Sequence, residues 1–316
     1  MKKFICAVLS ALLLACPALA APAELTAVGR TVGIRLREDG VTVTGFAEGG
    51  HAEAAGIRAG DRILRINGTA VETAEDIAAL TGSGEAVTVT VARGGAEAAY
   101  LVEPVAQDGR WLLGLRVRDS ISGIGTVTYY DPESGAYGAL GHGVCTPGSG
   151  DLLRMTGGEV VPSTVTGVER GRRGAAGQLL GAFDRSTALG TVEKNTDCGI
   201  FGVLRTGLDL GSVCPVAAAG DLHPGAAVIL ASVAGTEARE YDVKILKLYP
   251  GESQRNLLLE VTDPRLLAAT GGIVQGMSGS PILQDGRLVG AVTHVLLADP
   301  ARGYGISIGN MLKAAA

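Results

Sequence analysis

The chain of 316 residues is long enough for about two average domains. Hydrophobic residues make up 47% of it and charged residues 19%, which provides apolar material for packed cores and excludes an intrinsically disordered protein. A formal net charge of −5, without a block of like charges, argues against a general nucleic-acid-binding protein. The 48 glycines, about twice the usual share, predict many turns and short strands.

The N-terminus has the pattern of a secretory signal peptide. Two lysines precede an apolar run over residues 4–15, and residues 18–20 then offer a small-x-small cleavage site. The run is too short for a comfortable transmembrane helix, which needs roughly 20 apolar residues. We therefore expect residues 1–20 to direct export across the cytoplasmic membrane, with an uncleaved N-terminal anchor as the alternative.

Export makes the cysteines relevant, because disulfides form in oxidising compartments. Of the five cysteines, Cys145, Cys198 and Cys214 lie beyond the signal region, so at most one internal disulfide can form. His142 and Cys145 have a spacing that metal ligands use, but no second His/Cys pair at such spacing completes a set of four ligands. We expect neither a metal site nor a cofactor.

Residues 27–105 are expected to form a small first domain. Alternating apolar residues predict strands at residues 32–36 and 41–46, with a turn between them at residues 38–40. A capped helix is predicted over residues 73–80.

One segment of this first domain resembles the most recognisable part of bacterial PDZ domains. It is the run AGIRAGDRILRING at residues 55–68. PDZ domains bind an extended peptide end by adding it to a sheet edge. The resemblance implies that Val32, Gly33 and Ile34 form the loop whose backbone N–H groups meet the peptide carboxylate. The alternative is a domain that only packs against its neighbour.

The rest of the chain, residues 106–316, carries strand-like runs between glycine-rich turns. Examples lie at residues 125–130, 159–168, 226–233 and 257–261. Many short strands over about 210 residues favour a barrel or a sandwich.

The segment QGMSGSP at residues 275–281 has the sharpest chemical pattern. A serine between glycines can lie on an exposed tight turn, where the N–H groups of Gly276 and Ser278 could converge as an oxyanion hole. A hairpin with an Asp-Gly turn follows, and this order resembles the nucleophile region of chymotrypsin-like serine proteases. A glycine-rich turn without chemical function is the alternative interpretation.

Of the four histidines, His142 is the best candidate for a general base. It lies in the segment GALGHG at residues 138–143, whose small neighbours allow an imidazole to approach a serine. His51 belongs to the PDZ-like segment. His223 and His294 are expected to be structural or to lie near the cleft.

Several long segments together resemble the SpoIVB peptidase family. They are, in chain order, residues 138–143, 193–202, 272–281, 289–295 and 299–306, and the resemblance extends over about residues 27 to 316. Members are sporulation serine peptidases that combine an N-terminal anchor or signal, a PDZ domain and a peptidase domain of the trypsin-like clan. The resemblance therefore implies a mainly β protein: a PDZ domain at residues 27–105, followed by a chymotrypsin-like double β-barrel peptidase domain at residues 106–316.

The resemblance also implies a catalytic triad. Ser278 would be the nucleophile, His142 the general base, and Asp263 the acid that holds the imidazole in its useful tautomer. Asp263 could instead cap the helix that follows it. Asp184 and Asp197 are the rival carboxylates.

The biological role that the resemblance implies is proteolytic signalling. Such peptidases are released into the space between the mother cell and the developing spore. They cut themselves and then the extracytoplasmic part of a membrane-bound regulator, which activates late mother-cell sigma-factor processing, while the PDZ domain recognises targets. Two alternatives stay open: a catalytically silent, PDZ-containing peptide-binding protein of the cell envelope, and a peptidase that uses Cys145 or Cys198 as its nucleophile.

Overall fold

The structure is a computed structural model that describes residues 22–184, 186–205 and 211–316. The expected signal segment at residues 1–20 lies outside the described residues. Within the described ranges, no helix is long and apolar enough to cross a membrane.

Strands dominate the described part of the chain, and the helices are short. The strands are β1 (Glu24–Ala27), β2 (Thr31–Phe46), β3 (Arg62–Ile66), β4 (Thr69–Ala70), β5 (Val87–Arg93), β6 (Ala96–Val102), β7 (Val105–Gln107), β8 (Arg110–Leu112), β9 (Leu115–Tyr130), β10 (Ala136–Ala139), β11 (Met155–Glu169), β12 (Gln178–Phe183), β13 (Gly190–Thr196), β14 (Gly199–Leu204), β15 (Val213–Pro215), β16 (Gly225–Ala231), β17 (Arg239–Leu248), β18 (Leu257–Val261), β19 (Pro281–Gln284), β20 (Arg287–Val295) and β21 (Arg302–Ser307). The helices are α1 (Ala74–Thr81), α2 (Pro264–Thr270) and α3 (Ile308–Ala315).

Six antiparallel strands close into a first barrel. In order around the barrel they are β2, β9, β10, β14, β13 and β11, and β11 pairs again with β2. Residues 31–38 of β2 take part: residues 31–37 pair with residues 120–126 of β9, and residues 32–38 pair with β11. Fully buried side chains such as Val127, Val160 and Ile200 fill the interior.

A second six-stranded barrel closes in the order β16, β17, β18, β21, β20, β19. Strand β17 shows why these sequences form strands: Tyr241, Val243 and Ile245 are buried, while the residues between them are exposed. A period of two places one side of a strand in the barrel interior and the other in solvent. The two barrels confirm the predicted fold class.

The PDZ-like unit contains β3 to β6 and α1, and it also includes one end of each of two barrel strands. Residues 41–46 of β2 and 115–118 of β9 extend its sheet. As predicted, α1 begins after its N-cap Thr73, which forms a capping box with Asp76. Ile63 lies in the apolar core beneath the helix.

Strand β2 therefore belongs to both the first barrel and the PDZ-like unit. The turn expected at residues 38–40 does not form, because these residues continue the strand. The register against β9 shifts twice, between Arg37 and Thr42 and between Val43 and Gly45.

The same continuity corrects the predicted peptide-binding loop. Val32, Gly33 and Ile34 lie inside the first barrel, between β9 on one side and β11 on the other. The prediction of a carboxylate-binding loop here is wrong, because pairing with a strand on both sides occupies the backbone N–H groups.

Candidate active site

A cavity of about 440 Å³ brings together four of the predicted site residues: His142, Gly276 and Ser278, which were predicted for catalysis, and Ile34, which was predicted for peptide binding. His142 follows β10 of the first barrel, whereas Gly276 and Ser278 precede β19 of the second. The hydrophobic residues that line the cavity are Ile34, Leu36, Ile121, Ile124, Leu140, Val144, Ala176, Ile273, Val274, Val295 and Leu297. Among the described residues, no Asp or Glu lines it.

Contacts with the first barrel hold the loop that carries Ser278. The Thr126 N–H of β9 donates to the Ser278 carbonyl at 3.0 Å, and the Thr126 hydroxyl donates to the Gly276 carbonyl at 2.7 Å. Gly279 has a φ of 96°, and a Cβ there would lie 2.0 Å from the Thr126 carbonyl oxygen. Only glycine fits this position, so close packing against β9 explains part of the glycine pattern around Ser278.

Two N–H groups on this loop are available to an anion. Within the described part of the chain, neither the Gly276 nor the Ser278 N–H has a hydrogen-bond partner, whereas the Met277 N–H between them donates to the Val274 carbonyl at 3.1 Å. Free N–H groups beside a nucleophile are what an oxyanion hole requires. The loop is therefore compatible with the predicted pair, Gly276 and Ser278.

His142 has the protonation state that a general base needs. Its Nδ1 lies 2.9 Å from the Gly143 carbonyl oxygen. Because a carbonyl only accepts hydrogen bonds, Nδ1 carries the proton and Nε2 is left with a free lone pair. Burial, together with the charge of Arg255, lowers the pKa of His142, so the imidazole is neutral near pH 7.

His294 is a second imidazole in the cavity, and the sequence patterns gave it no chemical role. Its ring centroid lies 5.0 Å from that of His142. Its buried Nδ1 has no hydrogen-bond partner among the described residues. Burial lowers the pKa of His294 to about 4, and the neighbouring His142 and Arg255 contribute. The sequence feature that could have indicated His294 is its position at the end of the hairpin that follows Ser278.

Asp263 does not meet His142, which corrects the expected triad. Its carboxylate caps α2 by accepting from the backbone N–H groups of Arg265 at 2.7 Å and Leu266 at 3.3 Å. It also accepts from the Asp242 N–H at 3.3 Å and forms an ion pair with the Arg265 guanidinium at 2.7 Å. Chiefly through Arg265, these bonds hold the pKa of Asp263 well below its usual range. The carboxylate oxygens are therefore engaged away from the cavity.

Neither rival carboxylate lines the cavity. Asp184 is exposed and accepts hydrogen bonds from the backbone and hydroxyl of Ser186. Asp197 is exposed in the turn between β13 and β14. The structure thus places no predicted acid beside His142, whose tautomer the Gly143 carbonyl holds instead.

The three cysteines of the described chain are unpaired. Cys145 is exposed, and none of Cys145, Cys198 and Cys214 lines the cavity. Burial raises the pKa of the Cys198 and Cys214 thiols, which favours the unreactive protonated form. The described residues also contain no group of three or more His, Cys, Asp and Glu side chains that could hold a metal ion.

Comparison with known proteins gives matches to two family models. The model described as SpoIVB peptidase S55 matches residues 109–312, and a PDZ domain model matches residues 42–93. No curated protein matches the chain significantly. The PDZ match begins after Val32, Gly33 and Ile34, in agreement with their place in the first barrel. Because the first model covers more than half of the chain, the chain belongs to the SpoIVB peptidase family and is a serine peptidase, a hydrolase of peptide bonds, that carries a PDZ domain.

Proposed function

We propose that the protein is an exported serine endopeptidase in which Ser278 is the nucleophile and His142 the general base. The observation that carries this proposal is the cavity that both residues line, with two free backbone N–H groups beside Ser278. Family membership gives the reaction class, and the cavity supports Ser278 and His142 as the residues that carry out the reaction.

In the proposed reaction, the Ser278 hydroxyl oxygen attacks the scissile carbonyl carbon while His142 Nε2 takes the hydroxyl proton. The Gly276 and Ser278 N–H groups hold the oxyanion. The C–N bond then breaks as His142 gives the proton to the leaving amine. A water molecule, deprotonated by His142, finally hydrolyses the acyl-enzyme.

The nucleophile must reorient before this reaction begins. The Ser278 hydroxyl donates to the Thr293 carbonyl at 2.8 Å in this structure. It would therefore have to leave the Thr293 carbonyl before it can give its proton to His142, and catalytic hydrogen bonds often form fully only when the substrate binds.

The cavity lining favours apolar substrate residues near the scissile bond. Hydrophobic side chains dominate the lining, and burial keeps both of its imidazoles neutral near pH 7. A charged substrate side chain would lose its hydration there without gaining a partner of opposite charge.

The proposed biological role follows from the family. We infer that the enzyme acts outside the cytoplasmic membrane, between mother cell and forespore, either released or held by its N-terminal segment. Its substrates would be itself and the extracytoplasmic part of a membrane-bound regulator, whose cleavage activates late mother-cell sigma-factor processing. The PDZ domain would recognise these targets.

The test compares the purified mature protein with its Ser278→Ala variant, and mass spectrometry identifies the fragments. We expect self-cleavage only in the unchanged protein, with turnover of the variant lower by a factor on the order of 10⁶. Cleavage in both proteins would refute the role of Ser278. If neither protein cut itself or an added peptide library, the catalytically silent binding protein would be the better description.

A further inference from the structure

Strand β9 has an open edge that reaches from the PDZ-like unit to the catalytic cavity. On one side, residues 115–126 pair with β2. On the other side, only its last residues pair, with β10. Among the described residues, no strand pairs with the second edge of residues 115–124. This edge can therefore accept an added strand.

The part of the edge nearest the cavity faces the catalytic loop. The Thr126 N–H points away from β2, because it donates to the Ser278 carbonyl. In an antiparallel ladder the direction of the backbone groups alternates, so Ile124, Ser122 and Ser120 present theirs on the same side as Thr126. Ser122 and Ile124 line the cavity.

The other end of the edge runs beside α1. The Asp119 carboxylate of β9 accepts from the Ala74 N–H at the start of α1, at 3.1 Å. The Thr81 hydroxyl, at the end of the helix, donates to the Trp111 carbonyl at 3.4 Å. The helix and the open edge therefore run side by side, as the two walls of a groove.

This groove ends at a loop with free N–H groups. The Leu113 and Gly114 carbonyls accept from the Ala52 and Ala47 N–H groups, at 3.3 and 2.8 Å. The Leu113 and Gly114 N–H groups have no hydrogen-bond partner in the described part of the chain. Gly114 has a φ of 75°, and a Cβ there would lie 2.3 Å from the Gly50 Cα, so glycine is required. Adjacent free N–H groups of this kind bind carboxylates.

We propose that one extended substrate segment binds along the whole open edge of β9. Its residues after the scissile bond would pair with β9, and its free C-terminal carboxylate would bind the Leu113 and Gly114 N–H groups. The chain direction agrees with this placement. A segment that runs antiparallel to β9 has its C-terminus beside the first residues of β9. This inference rests on the proposed function and adds a substrate class to it, proteins with a free, extended C-terminal tail.

The geometry sets the length of that tail. Ile124 and Leu115 are nine positions apart on the strand. An added strand advances about 3.3 Å per residue, as β9 does, so the edge spans roughly 30 Å. The scissile bond would therefore lie about ten residues before the C-terminus.

The test measures kcat/KM for synthetic peptides that share one cleavable sequence. Their tails after the scissile bond have about four, ten or sixteen residues, each as a free acid and as a C-terminal amide. We expect the ten-residue free acid to be cleaved best. Amidation should lower its kcat/KM roughly ten- to a hundredfold, because it removes a charged hydrogen-bond acceptor. The amide should make no difference to the four-residue tail.

Two variants of the full chain separate the edge from the catalytic residues. In Ser120→Pro, the missing N–H is one that faces away from β2, so the ladder with β2 is kept while the added strand is blocked. Ser120 does not line the cavity, and a four-residue tail that starts beside Ile124 ends before it. Ser120→Ala is the matched control and should behave as the unchanged protein. Ser120→Pro should lose the preference for the ten-residue tail but still cleave the four-residue peptide, which also shows that it folds.

Equal cleavage of all tails, acids and amides, would overturn the inference and leave the proposed function standing. Failure to cleave even the four-residue peptide would count against the proposed function instead. In that case, binding of the ten-residue acid to the Ser278→Ala variant still decides the inference. If amidation and Ser120→Pro both weaken this binding, the inference is supported. If neither changes it, the inference is overturned.

Discussion

Replacing Asp263 by asparagine separates its observed role as a helix cap from the catalytic role that the family resemblance implied. Asparagine caps helices about as well as aspartate, so the bonds to the N–H groups at the start of α2 are largely retained. What is lost is the charge that pairs with Arg265. The Arg265 side chain is 68% exposed, whereas the Asp263 side chain is 2% exposed, so water screens the pair in part and it contributes about 1 kcal/mol.

Asp263→Ala is the harsher change. It leaves the N–H groups of Asp242, Arg265 and Leu266 without the oxygen that now accepts from them. Loss of the cap costs about 1 kcal/mol, and the buried unsatisfied N–H groups add about 1–3 kcal/mol. We therefore expect a free energy of unfolding lower by about 2–4 kcal/mol in Asp263→Ala and by about 1 kcal/mol or less in Asp263→Asn.

The assay combines thermal unfolding with kcat on a short peptide, measured well below the unfolding temperature. Asp263→Asn should keep kcat within about tenfold of the unchanged protein, and Asp184→Asn serves as the control for charge. A catalytic triad predicts something else, since Asp→Asn in a triad lowers kcat by about 10⁴ while the fold is kept. A loss of kcat of that size in Asp263→Asn, with an unchanged unfolding temperature, would refute the role of Asp263 as only a helix cap.

Two further predictions concern the surroundings of His142. In the folded state the pKa of His294 is about 4, below its ordinary value of 6.5. As the pH falls, the unfolded chain therefore takes up the proton first, and the free energy of unfolding should fall between pH 6.5 and 4. Unfolding temperatures across this range should depend less on pH in His294→Asn, and an unchanged slope would contradict the argument. Asn195 accepts from the Val144 N–H at 2.9 Å and donates to the Val144 and Leu153 carbonyls at 2.9 and 3.0 Å. Asn195→Ala should lower the free energy of unfolding by about 1–3 kcal/mol. It should also lower kcat/KM, because the segment after His142 is held less firmly. If neither value changed, Asn195 would not have this positioning role.

Features with local determinants could be predicted from the sequence. Helix α1 begins at the cap that Thr73 and Asp76 supply, four positions of sequence that need no tertiary context. The loop around Ser278 and the hairpin of β19 and β20 after it likewise follow from a glycine pattern and an Asp-Gly turn. Ser278 and His142 could be predicted because each of them lies in such a local motif.

Features that depend on distant partners could not be predicted in the same way. Both halves of β2 alternate apolar and polar residues, and this pattern does not say that one half joins a barrel and the other the PDZ-like unit. Asp263 precedes a proline, which locally favours the helix cap that the structure has, whereas the family motif implied a distant imidazole. The contact between His142 and His294 joins positions 152 residues apart, and no periodicity encodes it.

Strand β9 runs from the PDZ-like unit to the loop that carries Ser278. Its first residues extend the sheet of the PDZ-like unit, and Thr126, further along, bonds to both Gly276 and Ser278. These are the two loop residues whose N–H groups would hold the oxyanion. In the proposed mode of binding, a ligand on the beginning of β9 would lie on the same strand as Thr126, and no flexible linker would separate it from the loop that carries Ser278. The shared strand would thus join the PDZ domain directly to the proposed oxyanion hole.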